Sequence, residues 1–179
     1  EEKAKEIKRN SKEKDDLETK ENMSRPTWHD YFIGLAYIAS TRSHDTQTQV
    51  GCVIVKDKKV ISMGYNGFCS GIEDEVLPTI RPDKYPLMVH AEENAVSNMI
   101  VKPDKAEAYI THRPCHKCAK LLWQNNIRTW YMPSEEKAHS HSKQDDMVYE
   151  LLLVNGLRVG YFPPDLSYLN KIVDRQKNN

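Results

Sequence analysis

The chain carries no excess of charge of either sign: 26 basic and 26 acidic side chains cancel over 179 residues. A protein that holds long nucleic acid ordinarily shows a basic footprint, so a small ligand is the expected partner. No run of about 18 apolar residues occurs, which excludes an ordinary membrane-spanning helix from the expectation. No signal-peptide pattern is visible, and nothing in the sequence repeats. Cysteine is scarce, with four in all, and the expected setting is the cytoplasm, where thiols stay reduced. The length suits one domain with a good core.

What is present is concentrated in two short segments, His90-Ala91-Glu92 and Pro114-Cys115-His116-Lys117-Cys118. His90, Cys115 and Cys118 are three borderline-soft ligands, and a catalytic zinc takes three protein ligands and leaves its fourth position to water. Glu92 lies two residues from the histidine, near enough to serve that water without binding the metal. Each segment stands at the start of an expected helix, 91–100 and 116–125. Pro114 suits the first turn of the second, and thiolates are favoured at a helix N-terminus. Two helix starts meeting at one point would gather the three ligands around one ion. The H-x-E…P-C-x-x-C arrangement is that of zinc nucleobase deaminases, in which the glutamate is the general acid and base. A structural zinc would need a fourth ligand, from His112 or His116. A redox dithiol would have no use for His90-x-Glu92.

Residues 1–22 differ from the rest: 15 of the 22 are charged. Such a stretch cannot bury enough surface to fold alone, so it is expected to be a flexible or solvated helical extension, with residues 23–179 forming the zinc-dependent domain. Trp28, Tyr31, Phe32, Leu35 and Ile38 mark a helix over 28–41. Two β-branched runs, 50–56 and 60–65, flank Asp57-Lys58, a two-residue hairpin turn. A long connection, 66–89, contains Pro78, Pro82 and Pro86, and long connections in compact domains are usually functional. There follow strand 107–111, strand 128–132, helix 145–155, strand 157–162 and a short C-terminal helix. Five strands interleaved with helices define an α/β fold, a three-layer α/β/α domain whose leading hairpin makes the five-stranded sheet mixed. Cys52 lies in an apolar run and reads as a core residue. His139 and His141 read as part of an exposed polar loop rather than a metal tract.

With these residues in place, the chain resembles the deoxycytidylate (dCMP) deaminase branch of the cytidine deaminase superfamily from about Trp28 to Phe162. The resemblance rests on Trp28-His29-Asp30-Tyr31-Phe32, Gln49-Val50-Gly51-Cys52-Val53, Gly64-Tyr65-Asn66-Gly67, Lys84-Tyr85-Pro86 and the two metal segments. It implies a cytidine deaminase-like fold and Zn2+-dependent hydrolysis of dCMP to dUMP and ammonia. Glu92 would shuttle protons, Asn66 would bond a sugar hydroxyl, and the Ala91 N–H would bond the pyrimidine carbonyl. A 5′-phosphate demands cations, for which Arg42 and Arg113 are the candidates. The family binds dCTP as activator and dTTP as inhibitor at an inter-subunit site. Tyr65, Gly67, Lys84 and Tyr85 are the candidate effector residues here, with Mg2+ accompanying the triphosphate. The family's G-Y-N-G-x-P-x-G loop has Cys69 in place of its proline, which loosens the backbone there. A closed homo-oligomer, a hexamer or smaller, is implied as well.

The rival readings are a deaminase of dCTP or another cytosine nucleotide, of free cytidine or of a tRNA wobble base, and a non-catalytic zinc-stabilised nucleotide sensor. Neutral charge argues against tRNA, the Lys84-Tyr85-Pro86 insertion against free cytidine, and Glu92 against a sensor without turnover.

Overall fold

The computed structural model describes residues 25–75, 78, 80–134 and 142–177. The charged extension 1–22 and the histidines at 139 and 141 lie outside the described residues. The chain divides into two units, one formed by Trp28–Pro164 and the other by the residues before Trp28 with those from Asp165 on. In the second unit Ser167–Lys177 is helical (α5).

The larger unit runs α1 (Trp28–Ser40), β1 (Gly51–Lys56), β2 (Lys59–Tyr65), α2 (Ala91–Ser97), β3 (Ala106–Ile110), α3 (His116–Gln124), β4 (Ile127–Met132), α4 (Lys143–Val154) and β5 (Arg158–Tyr161). The sheet order is β2-β1-β3-β4-β5. Strand β1 is antiparallel to both β2 and β3, while β3, β4 and β5 are parallel. The mixed sheet therefore follows from the hairpin, whose turn residues Asp57 and Lys58 both have positive φ (50° and 59°). That pair of left-handed residues is the type I′ turn whose twist matches a hairpin.

Alternation along the strands separates two apolar faces. Cys52 and Ile54 of β1, Ala108 and Ile110 of β3 and Trp130 of β4 share one cluster with Ala91 and Ala95 of α2, Ala119 and Leu122 of α3 and Leu152 of α4. The intervening residues Tyr109 and Tyr131 meet α1 on the other face, where Phe32 and His29 lie 5.1 and 4.4 Å from them, ring centre to ring centre. The result is three layers, with Cys52 fully buried in the core as expected.

Helix α2 lies very close to the sheet at Gly64: a Cβ there would fall 2.4 Å from both the Ala91 carbonyl and the Ala95 nitrogen. Only a glycine lets the two backbones approach so far. This contact fixes the depth at which α2 begins. Because β1 is antiparallel to its neighbours, the start of β1 meets the ends of β2 and β3. There the Gly51 N–H donates to Thr111 Oγ1 (3.1 Å) and the Asn66 N–H to the Val50 carbonyl (3.2 Å). The residues that leave this end of the sheet build the site.

Candidate active site

His90 is the N-cap of α2 in extended conformation, and its N–H donates to the Glu93 carboxylate at 2.8 Å. Glu93 is therefore part of the helix start: its carboxylate satisfies a donor that the first turn leaves free. Cys115 is the N-cap of α3, so Pro114 precedes the helix instead of occupying its first turn. The Ala119 N–H donates to the Cys115 carbonyl at 2.8 Å, which sets Cys118 one turn along on the same face.

These two helix starts converge. His90 Nδ1 lies 3.6 Å from Cys115 Sγ and 3.4 Å from Cys118 Sγ. The three ligand atoms all fall within 4.8 Å of one another, and among the described residues they are the one such group. Zinc bound tetrahedrally at ~2.3 Å from sulfur and ~2.0 Å from nitrogen would place those atoms about 3.6 Å apart. The donor set and its spacing thus fit Zn2+. Neither His112 nor His116 joins the group. His116 instead turns to Asp145, whose Oδ1 accepts from the His116 N–H (2.6 Å) and lies 2.9 Å from Nδ1.

The electrostatics of this group suit a cation. The Cys118 thiol donating to Cys115, with His90 and the Cys118 N–H beside it, pulls the Cys115 thiol down to about 3. Cys115 also holds His90 up to about 9. A thiolate is therefore available without outside help, as metal binding requires. Glu92 is 4% exposed, and burial pushes its carboxyl up to about 7 against the pull of His90.

A cavity of about 350 Å³ opens onto His90, Ala91, Glu92 and Cys115, and its volume lies in the range of small-molecule sites. Ala91 is the first residue of α2, so its N–H is one of the four donors without an intrahelical partner. Asn66 also lines the cavity, but its amide is committed: Oδ1 accepts from the Val50 N–H (2.7 Å), and Nδ2 donates to the Thr48 carbonyl (2.9 Å) and to Asp45 Oδ2 (3.4 Å). What remains for a ligand is one lone pair of Oδ1, an acceptor.

The arginines divide. Arg113 lines the cavity with its guanidinium 3.8 Å from the Tyr149 ring centre and Nη2 3.1 Å from Asp146 Oδ1. Arg42 is exposed just past the end of α1 and lines no part of the cavity. Of the four candidate effector residues, Lys84 turns inward, 2% exposed, and pairs with Asp45 in the cavity wall. Tyr85 lines the same cavity while largely exposed, Tyr65 ends β2, and Gly67 bridges to Val89.

Sequence reasoning missed Asp45, Thr48, Arg81 and Asp145, all in the lining. Asp145 alone had a readable signal: Ser142 followed three residues later by an acid is a capping-box pattern. It places the start of α4 at Lys143, ahead of the expected 145.

Residues 26–134 match the family described as the cytidine and deoxycytidylate deaminase zinc-binding region. The deoxycytidylate deaminase of Homo sapiens is 38% identical over 150 residues, covering 78% of this chain and 82% of that one. A probable deoxycytidylate deaminase of Caenorhabditis elegans is 41% identical over 109 residues, and the match covers 58% of this chain and 55% of that protein. The crystal structure of dCMP deaminase from the cyanophage S-TIM5 in complex with dCMP and dUMP superposes with a TM-score of 0.62 over 78% of this chain and 99% of that one, at 22% identity, a likeness of fold. Two helix starts carrying a His-x-Glu and a Cys-x-x-Cys around one point, in a sheet of this order and over this length of matched sequence, place the chain in the cytidine and deoxycytidylate deaminase family.

Proposed function

We propose that this protein deaminates dCMP hydrolytically to dUMP and ammonia. The observation that carries the reading is the buried Glu92 beside the His90, Cys115 and Cys118 triad at one cavity. His90, Cys115 and Cys118 would hold Zn2+, which would supply Lewis acidity and lower the pKa of a water toward neutrality. Glu92 takes a proton from the attacking water and delivers it to ring N3 as the water oxygen bonds to C4. The same carboxylate then relays the hydroxyl proton of the adduct to the amino nitrogen. The C4–N bond breaks, ammonia leaves, and a C4 carbonyl remains. Only a carboxylate within reach of both water and base can work in both directions.

The Ala91 N–H is aimed at the pyrimidine carbonyl, and Asn66 Oδ1 accepts from a sugar hydroxyl. Arg113 is the phosphate contact, since its stacking on Tyr149 fixes the guanidinium plane at the cavity. Arg42, exposed just past α1 and outside the cavity lining, is given no phosphate role in this proposal. Control by dCTP and dTTP with Mg2+, a closed homo-oligomer and a cytoplasmic setting belong to the same proposal. It is supported for assembly by the exposed Val60, Ile61 and Met63 on the edge strand β2. Among the described residues, no helix is long and apolar enough to cross a membrane.

The test is ammonia release from dCMP, dCTP, deoxycytidine and CMP, each with and without dCTP or dTTP. Turnover confined to dCMP supports the assignment, and a change of rate with the triphosphates supports the regulatory part. Preference for dCTP, or a zinc-loaded protein inert on all four, overturns it.

A further inference from the structure

Asp45 and Lys84 stand 39 residues apart in sequence and form a buried ion pair in the cavity wall, 3% and 2% exposed. Lys84 Nζ donates to both carboxylate oxygens at 2.6 Å. Burial by itself would raise the Asp45 carboxyl, yet Lys84 and the N–H groups of Gln47 and Thr48 hold it below its ordinary value. A charged pair so deep is hard to explain by stability alone, because a hydrophobic pair of the same volume often serves a fold equally well or better.

What the pair touches is the mouth and wall of the cavity. Asp45 Oδ1 accepts from the N–H groups of Gln47 (2.8 Å) and Thr48 (3.1 Å), shaping the loop before β1. Its Oδ2 lies 3.4 Å from Asn66 Nδ2, so it also helps fix which way that amide faces. Lys84 is the hub of a turn: its N–H donates to the Ile80 carbonyl, and its own carbonyl accepts from Leu87 and Met88. Holding Lys84 therefore holds Tyr85 and Met88, both of which line the cavity. Arg81 of the same turn donates through Nη2 to Thr48 Oγ1 at 2.6 Å, a second tie between the two segments.

We infer that Asp45 and Lys84 are positioning residues: their ion pair straps the turn at 80–88 onto the loop before β1 and orients Asn66, so that affinity for the nucleotide depends on a pair that is not part of the His90, Glu92, Cys115 and Cys118 group. The inference rests on the reading of the cavity as the nucleotide pocket. A strap acts on binding common to ground and transition states, so its loss moves KM and leaves kcat. A role in folding alone moves neither in molecules that are folded and zinc-loaded.

The experiment uses the full chain loaded with zinc, with dCMP as substrate, and the variants Lys84→Met, Asp45→Asn, Lys84→Arg and Asp45→Asn with Lys84→Met. Lys84→Met and Asp45→Asn are expected to raise KM about tenfold or more with kcat within about threefold. Lys84→Arg, which keeps a cation facing the carboxylate, is expected to recover most of the loss. The double variant is expected to be no worse than the worse single, since the two residues act through one interaction. It contains no unpaired buried charge, so it carries the test if a single variant fails to fold. An unchanged KM in the folded double variant overturns the inference, as does a fall in kcat with KM unmoved.

Amide hydrogen exchange over residues 80–88 gives a readout without substrate. Faster exchange in Lys84→Met than in Lys84→Arg supports the strap, and equal exchange overturns it. If the wild type does not turn over dCMP, the functional reading fails, and the exchange measurement still decides the strap.

Discussion

Gly67 and Val89 exchange both of their backbone hydrogen bonds, the Gly67 N–H donating to Val89 at 3.1 Å and the Val89 N–H to Gly67 at 2.8 Å. They stand at the two ends of the long connection after β2. Their pairing closes that connection at its base and sets Asn66 beside His90. The bridge is a backbone interaction, and a Cβ on Gly67 would meet nothing nearer than 3.8 Å. Gly67→Ala is therefore expected to change stability by no more than ~0.5 kcal/mol. Gly64→Ala forces a Cβ to 2.4 Å from the α2 backbone and is expected to cost about 3 kcal/mol, the upper part of the range for overpacking. Thermal unfolding of the two variants checks the contrast, and equal melting points would contradict it.

The local motifs were legible because their chemistry is carried by neighbours in sequence. His90-x-Glu92 and Cys115-x-x-Cys118 each fit within one helix start, and Asp57-Lys58 announced its own turn. Element limits were less so. The helix expected over 91–100 stops at Ser97: the Asn98 N–H donates to the Asn94 carbonyl (2.9 Å), and the Met99 N–H to the Val96 carbonyl (3.2 Å), a tighter i→i−3 turn that ends it. The strand expected over 157–162 is Arg158–Tyr161. What sequence could not show is pairing at a distance. Asp45 lies in a polar loop with no pattern, and nothing in it names a lysine 39 positions on. The resemblance makes Asn66 a contact to a sugar hydroxyl. The amide is instead engaged by the Val50 and Thr48 backbone while still facing the cavity, a double role visible only once β1 and β2 are paired.

Thiol chemistry separates the four cysteines. Cys52 is buried in the core, Cys69 is exposed, and Cys115 and Cys118 belong to the metal group. A thiol reagent is expected to titrate Cys69 in the zinc-loaded protein and Cys69, Cys115 and Cys118 after a chelator removes the metal. Unchanged reactivity of Cys115 and Cys118 on zinc removal would contradict their assignment as ligands.

Asp145 joins two helix starts, accepting from the His116 N–H with one oxygen and from the Ser142 N–H and Oγ with the other. Asp145→Ala is expected to weaken zinc binding about tenfold, as losses just outside a metal's ligands do. It should also cost about 1 kcal/mol through the lost helix cap. Competition with a chromophoric chelator reads the first effect and chemical denaturation the second.

The buried Asp45 gives the stability a signed pH dependence. Its folded pKa lies below the ordinary 3.8, so its contribution is present above that value and fades as pH falls through the folded pKa. Asp45→Asn leaves Lys84 buried without its counter-charge, a loss of about 3 kcal/mol at neutral pH. The gap between wild type and variant is expected to hold from pH 7 to about 5 and to narrow below about 4. Denaturation curves across that span check it, and a gap that widens toward acid would contradict it.

The most direct test of the account is the rate of ammonia release from dCMP by the wild type and by Glu92→Gln, with zinc content measured on both. Removing the proton shuttle while keeping the ligands is expected to leave one zinc per chain in each and to slow turnover by about a thousandfold or more. Glu92→Gln turning dCMP over at the wild-type rate, or a zinc-loaded wild type that releases no ammonia from it, would contradict the assignment.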